Sequence, residues 1–144
     1  MEKSGEAVFG KIFRQVDTLA RGLDASWLRQ EVIAQNIANA NTPYYKSRRV
    51  EFEGALTAAL SERDGFAARR TRDRHIAFGD AADPRDVTPS VVTNDHYTMR
   101  MDGNNVDIDQ ENVELAKNTI KYDMLTVKMN AELARLKMAI REGN

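Results

Sequence analysis

The C-terminal segment of this chain carries apolar residues on two opposite faces of one helix, and that limits what the chain can fold into. At about 100° per residue, Val113, Ala116, Ile120, Met124, Val127, Ala131, Ala134 and Met138 fall on one face. Leu115, Tyr122, Leu125, Met129, Leu133, Leu136 and Ile140 fall on nearly the opposite face. Two polar strips separate them: Lys117, Lys121, Lys128, Glu132 and Arg135 on one side, Thr119, Asp123, Thr126, Asn130, Lys137 and Arg141 on the other. A helix with two apolar faces has to be covered on both sides. One further helix covers one face; the other needs another segment or another chain.

That further helix is read from Val8 to Ala40. Val8, Phe9, Ile12, Phe13, Val16, Leu19, Ala20, Leu23 and Trp27 recur at three and four, the spacing of one helical face. Beyond Trp27, Leu28 and Val32 leave this stripe and Ala34, Ile37 and Ala38 return to it. Gly22 is a weak point that costs roughly 1 kcal/mol relative to Ala, so a kink or restart near Asp24 is allowed. Unbroken, the helix is about 50 Å long, in the range of extended helical architectures. It closes at Asn36-Ile37-Ala38-Asn39-Ala40-Asn41-Thr42-Pro43. Asparagine enters the left-handed region that ends helices, and the Pro43 peptide opposes further helix. Three asparagines exceed what a helix end needs, which points to a surface that is recognised.

The C-terminal helix starts at Asp107, with Gln110 completing a capping box, or at Asp109, with Ile108 and Val113 as a staple. It runs to about Arg141, before Gly143. Between the helices, Glu51–Leu60 reads as a short helix with Phe52, Ala55, Leu56, Ala59 and Leu60 on one side. Val91–Thr93 and Tyr97–Met101 have the composition of short strands. Arg63–Arg100 keeps no sustained period, and a connection of that length is usually functional or disordered in isolation. The expected fold is mainly α: long terminal helices packed as an extended coiled-coil-like hairpin around a loop-rich insert. The expected divisions are an N-terminal helical assembly segment, 1–43, an insert, 44–106, and a C-terminal helical assembly segment, 107–144.

Composition narrows function. Formal net charge is −1, with 42% hydrophobic and 30% charged residues, which opposes both a general polyanion binder and an acidic disordered chain. No run has the apolar length of a membrane span. Phe9–Leu23 is interrupted by Lys11, Arg14, Gln15, Asp17 and Arg21, so no Sec-type signal peptide is expected. There is no cysteine and hence no disulfide or thiolate chemistry. The two histidines, His75 and His96, sit in no ligand-spaced motif and read as solvated loop residues. Asp102-Gly103-Asn104-Asn105-Val106-Asp107 has its glycine at the second position, where an EF-hand loop needs it at the sixth. A turn feeding an acid-rich helix N-terminus accounts for it better. Arg69, Arg70, Arg72 and Arg74 supply a phosphate- or nucleic-acid-binding alternative, opposed by near-neutral charge and sparse nearby aromatics. No catalytic motif is present; neither enzyme activity nor a cofactor is expected.

Gln35-Asn36-Ile37-Ala38-Asn39-Ala40-Asn41-Thr42-Pro43 with Tyr45-Lys46 resembles the N-terminal signature of bacterial flagellar rod, hook and hook-associated proteins. Short length and Asp102–Asp107 leading to Glu111, Asn118 and Tyr122 resemble the proximal-rod members of that family. The resemblance implies a secreted structural subunit of the periplasmic rod in the basal body, exported by the flagellar type III apparatus without a cleaved signal peptide. It implies terminal segments that order on assembly. It implies as partners further copies of itself, the rod proteins FlgC and FlgF, the export-gate adaptor FliE and the MS ring protein FliF, with no nucleic acid and no small-molecule substrate. The assembly interface is expected at Asn36, Ile37, Asn39, Asn41 and Pro43, and at Val113, Leu115, Ile120, Tyr122, Val127, Met129, Leu133, Leu136 and Ile140. The family signature usually carries Gly after the proline, where this chain has Tyr44. Tyr is strained at positive φ, so a type I turn or an extended exit is expected there.

Overall fold

The computed structural model describes residues 2–64, 83–84, 86–95, 98 and 100–142, with side chains described from 13 to 60, at 83–84, 86–95 and 98, and from 100 to 141. Elements run α1 (Glu2–Ala38), β1 (Arg48–Glu51), α2 (Glu53–Asp64), β2 (Ser90–Thr93) and α3 (Ile108–Glu142). The long helices form an antiparallel hairpin. A Cβ placed on Gly22 would touch Leu125 Cδ1 at 3.4 Å, and Asn118 Nδ2 donates to the Ser26 carbonyl at 2.9 Å. Farther along, Asn36 Nδ2 donates to Glu111 Oε1 at 3.0 Å. Gly22, Ala25 and Ser26 present small side chains at this crossing, and Ala25 and Ser26 are buried. Helix α1 runs unbroken through Gly22. The kink allowed there does not occur, because the glycine lies against Leu125 of α3.

The stripe that contacts α3 is not the one the sequence makes most prominent. The buried side of α1 is Ala25, Ser26, Val32, Ile33 and Asn36. Phe13 and Trp27 stand on the other side, 53% and 64% exposed. The apolar recurrence through Phe13, Ala20 and Trp27 thus faces away from the hairpin partner. On α3 the two faces separate in the same way. Leu115, Met129 and Leu136 are partly buried on the side of Asn118 and Leu125, the residues that meet α1. Val113, Ile120, Met124, Val127 and Met138 are exposed. Glu132, placed on a polar strip by projection, is buried, with Oε1 accepting from Arg135 at 3.1 Å.

Helix α2 begins at Glu53 rather than Glu51, because Glu51 belongs to a strand that the sequence reading missed. β1 and β2 pair antiparallel from Arg48↔Thr93 to Glu51↔Ser90. Val50 and Phe52 turn inward while Arg49 and Glu51 turn out, the period of a half-buried strand. Phe52, Ala59, Val87 and Ala25 form a buried cluster with Leu56 against it. The strand expected at Tyr97–Met101 is not formed by its described residues. Arg100 N donates to Asn104 O at 3.2 Å and Gly103 N to Arg100 O at 3.0 Å, so the chain closes a tight turn. His75, His96 and the Arg69–Arg74 run lie outside the described residues.

Candidate assembly surfaces

The end of α1 shows where its surplus amides go. Asn36 is fully buried. Its amide pairs with one residue of the strand: Nδ2 donates to Arg48 O at 2.8 Å, and Arg48 N donates to Oδ1 at 3.0 Å. A side chain here supplies the ladder bonds that a neighbouring strand would make. The Tyr45 hydroxyl, 3.3 Å away, also donates to Oδ1, and the Glu111 carboxylate accepts from Nδ2. Asn39 folds back, Nδ2 to Gln35 O at 2.8 Å. The helix closes by short-range bonds, Asn39 N to Asn36 O at 3.1 Å and Ala40 N to Ile37 O at 3.2 Å. None of the three asparagines takes a left-handed backbone; among the described non-glycine residues only Tyr44 has positive φ. The left-handed asparagine ending expected from the sequence is therefore replaced by a tightened last turn.

The partner of this helix end is the Asp102–Asp107 turn. Asn104 is fully buried, and its Nδ2 donates to the carbonyls of Asn39 and Ala40 at 3.1 Å each and of Thr42 at 2.8 Å. All three belong to the exit segment just beyond α1, which ends at Ala38, and Asn39 O also accepts from Thr42 N at 3.0 Å. Arg100 Nη1 adds a bond to Ala40 O at 3.0 Å. Asn105 accepts from Ser47 N at 2.7 Å and donates to Asn94 O at 2.6 Å, tying the residue before β1 to the residue after β2. Asp107 Oδ1 accepts from the N–H groups of Asp109 at 3.0 Å and Gln110 at 3.3 Å, so Asp107, not Asp109, is the N-cap of α3. Sequence reasoning noted this turn but missed that it recognises the far end of α1. The sequence signal was its excess of amides over what a turn needs.

Tyr44 overturns the expected loop path. It has φ +62°, and Tyr45 N donates to Thr42 O at 3.3 Å across Pro43-Tyr44, the pattern of a type II turn. The turn is held from outside: Tyr44 N donates to Asp102 O at 3.0 Å. Its ring lies over Gly103, which has φ +79° and where an added Cβ would sit 2.9 Å from Tyr44 Cδ1. Lys46 Nζ donates to Gly103 O at 2.9 Å.

Glu53, the first residue of α2, clamps three helices. Both its carboxylate oxygens accept from Arg29 of α1 at 2.7 Å, and Lys121 of α3 bonds the same group. Burial raises this carboxyl, but the hydrogen bonds from Lys121 and Arg29 outweigh it, and the pKa falls from 4.5 to about 2. Glu111 goes the other way. Burial lifts it above 4.5, the Asn36 hydrogen bond opposes the rise, and the nearby charges of Glu114 and Asp107 add to it. Among the described residues, no group of three or more His, Cys, Asp and Glu is placed to hold a metal ion.

The expected interface residues divide. Asn36 is turned inward; Asn41 and Pro43 are exposed, and Ile37 and Asn39 partly so. Leu115, Met129 and Leu136 lie partly buried on the face of α3 toward α1, and Tyr122, Leu133 and Ile140 share that face with more exposure. Val113, Ile120 and Val127 lie on the opposite face, 52%, 56% and 70% exposed. A two-helix hairpin with a large uncovered apolar face is a subunit built to bury surface against neighbours. A family profile described as flagella basal body rod protein matches residues 17–46, most of α1 and its exit. The FlgB rod protein of Bacillus subtilis is 35% identical over 89% of this chain and 94% of its own length. FlgB of Borreliella burgdorferi is 36% identical over 78% of this chain and 85% of its own. FlgB of Salmonella typhimurium is 32% identical over 81% and 85%. The chain belongs to the FlgB family of flagellar basal-body rod proteins.

Proposed function

We propose that this chain is a structural subunit of the proximal rod of the flagellar basal body, assembling through its terminal helices into the shaft that transmits torque and continues the export channel. The observation that carries this reading is the uncovered face of α3, with Ile120 at 56% and Val127 at 70% exposure in the lone chain, taken with membership of a rod family. Segments 1–43 and 107–144 supply the wall helices, and 44–106 is the insert. Copies of this chain contact each other and other rod components. The finer partners we infer are FlgC and FlgF along the rod, FliE and FliF at its base, and the type III export apparatus that delivers the subunit to the periplasmic rod without signal-peptide cleavage. The phosphate- or nucleic-acid-binding alternative gains nothing from the relatives, and its arginines lie outside the described residues.

Substitution tests this directly. Ile120→Asp or Val127→Asp places a charge where a neighbour must pack. The expected outcome is normal subunit synthesis and folding with motility lost at rod assembly. Tyr122→Asp or Leu136→Asp, on the face toward α1, is expected to block the same step while also weakening the hairpin. Normal basal bodies in the Ile120 and Val127 variants would sink the reading.

A further inference from the structure

The two outward faces of the hairpin match each other. On α1, Phe13, Ala20, Trp27 and Ala34 recur every seven residues, with Val16 and Leu23 three residues after the first two, the a and d spacing of a coiled coil. Gln30 is the polar member of this seam. Phe13 and Trp27 are more than half exposed, Gln30 and Ala34 are exposed, and Val16, Ala20 and Leu23 are partly buried, so the seam keeps apolar surface open in the chain. On α3, Ile120, Val127 and Ala134 recur every seven residues, with Met124, Ala131 and Met138 four residues after each. All six are exposed.

The flanks carry opposite charge. Asp17, Asp24 and Glu31 repeat every seven residues beside the α1 seam, each one residue after a d position, and all are exposed. Lys121, Lys128 and Arg135 repeat every seven residues beside the α3 seam, again one residue after each d position. Both sets are therefore e positions. In an antiparallel pair of helices, e positions of the two partners come to the same side of the seam, where opposite charges set partner and register. One register joins Asp17 to Arg135, Asp24 to Lys128 and Glu31 to Lys121, because seven residues forward on one helix meet seven residues back on the other. Within the chain Lys121 already bonds Glu53 and Arg135 bonds Glu132, which leaves Asp24 with Lys128 as the most open pair.

We infer that the outward seam of α1 docks antiparallel on the outward seam of α3 from a second copy of this chain, with Asp17, Asp24 and Glu31 facing the neighbour's basic strip. This rests on the rod reading above and names the surface that reading requires. Because the two seams differ, the contact is heterologous: each copy offers one seam and accepts on the other, and hairpins pointing the same way add side by side without closing a two-fold dimer. Such a contact builds a ring or a helical wall.

The chain has no cysteine, which allows a clean crosslinking test in basal bodies. Asp24→Cys combined with Lys128→Cys is expected to give, on oxidation, a ladder of covalent dimers, trimers and larger species. Asp24→Cys or Lys128→Cys alone is expected to give none. Within one hairpin Gly22 lies against Leu125 and Ser26 against Asn118, so Asp24 is level with residues between 118 and 125, out of register with Lys128, and the two do not bridge within a chain. An unlinked double variant present in basal bodies overturns this pairing and leaves the rod reading standing, as do dimers equally abundant in the single variants. Absence of the wild-type subunit from basal bodies overturns the rod reading itself. Charge reversal gives a second readout. Asp17→Lys with Asp24→Lys, or Lys128→Glu with Arg135→Glu, is expected to cut rod incorporation at least tenfold, and all four together to recover it. A fourfold variant as defective as either half contradicts the pairing.

Discussion

Asn104 stabilises the fold by donating to three carbonyls of the segment that leaves α1, from a side chain with no exposure of its own. Asn104→Ala removes a fully buried donor that ties the Asp102–Asp107 turn to this segment, at a cost of about 1–3 kcal/mol, read as a lower urea midpoint with an unchanged slope. Gly103 and Tyr44 form a coupled pair, each at positive φ and in contact. Gly103→Ala meets both a steric clash with the Tyr44 ring and a backbone penalty of roughly 1–2 kcal/mol. Adding Tyr44→Gly should recover the steric part and not the backbone part, so the double-mutant cycle should show a coupling energy well away from zero. At this scale the sequence was half legible. The amides were visible as a surplus, but their partners lie about 65 residues away, and one chain carries no local sign of such a pairing. Tyr44 was read as excluded from positive φ because the local preference of Tyr was weighed without the bond to Asp102 and the bare Gly103 beneath it.

Among the elements, Glu53 ties the start of α2 to both long helices, through Arg29 of α1 and Lys121 of α3. Its folded-state pKa of about 2 lies below the ordinary 4.5, so its pairing stabilises the fold above about pH 4.5 and is lost as pH falls toward about 2. Glu53→Gln should therefore flatten the acid loss of the urea midpoint in that window, the wild type and variant converging at its lower end. Glu111 has the opposite sign. Its raised pKa contributes stability only below its ordinary 4.5 and loses it as pH rises through the folded value. Glu111→Gln keeps an acceptor for Asn36 and should raise the midpoint at neutral pH, the gain vanishing below about pH 4.5. The long helices were legible because period and capping agree over many turns. β1 was not, since four residues carry little pattern and one of their hydrogen-bonding edges is met by the Asn36 side chain rather than by a strand.

For the whole molecule, the sequence announced surplus apolar surface on α3 and an apolar stripe on α1, without saying which face of α1 meets α3. The Phe13–Trp27 recurrence is stronger than the recurrence of Gly22, Ala25, Ser26 and Asn36, yet small and amide side chains make the closer contact with α3. Close approach favours small residues, and apolar periodicity does not register them. Phe13 and Trp27 of the more prominent stripe therefore stay more than half exposed in the lone hairpin. The account turns on the chain being a rod subunit. Images of basal bodies purified from a strain lacking this gene test it most directly. Rings without a rod are the expected result, and basal bodies with an intact rod would contradict it.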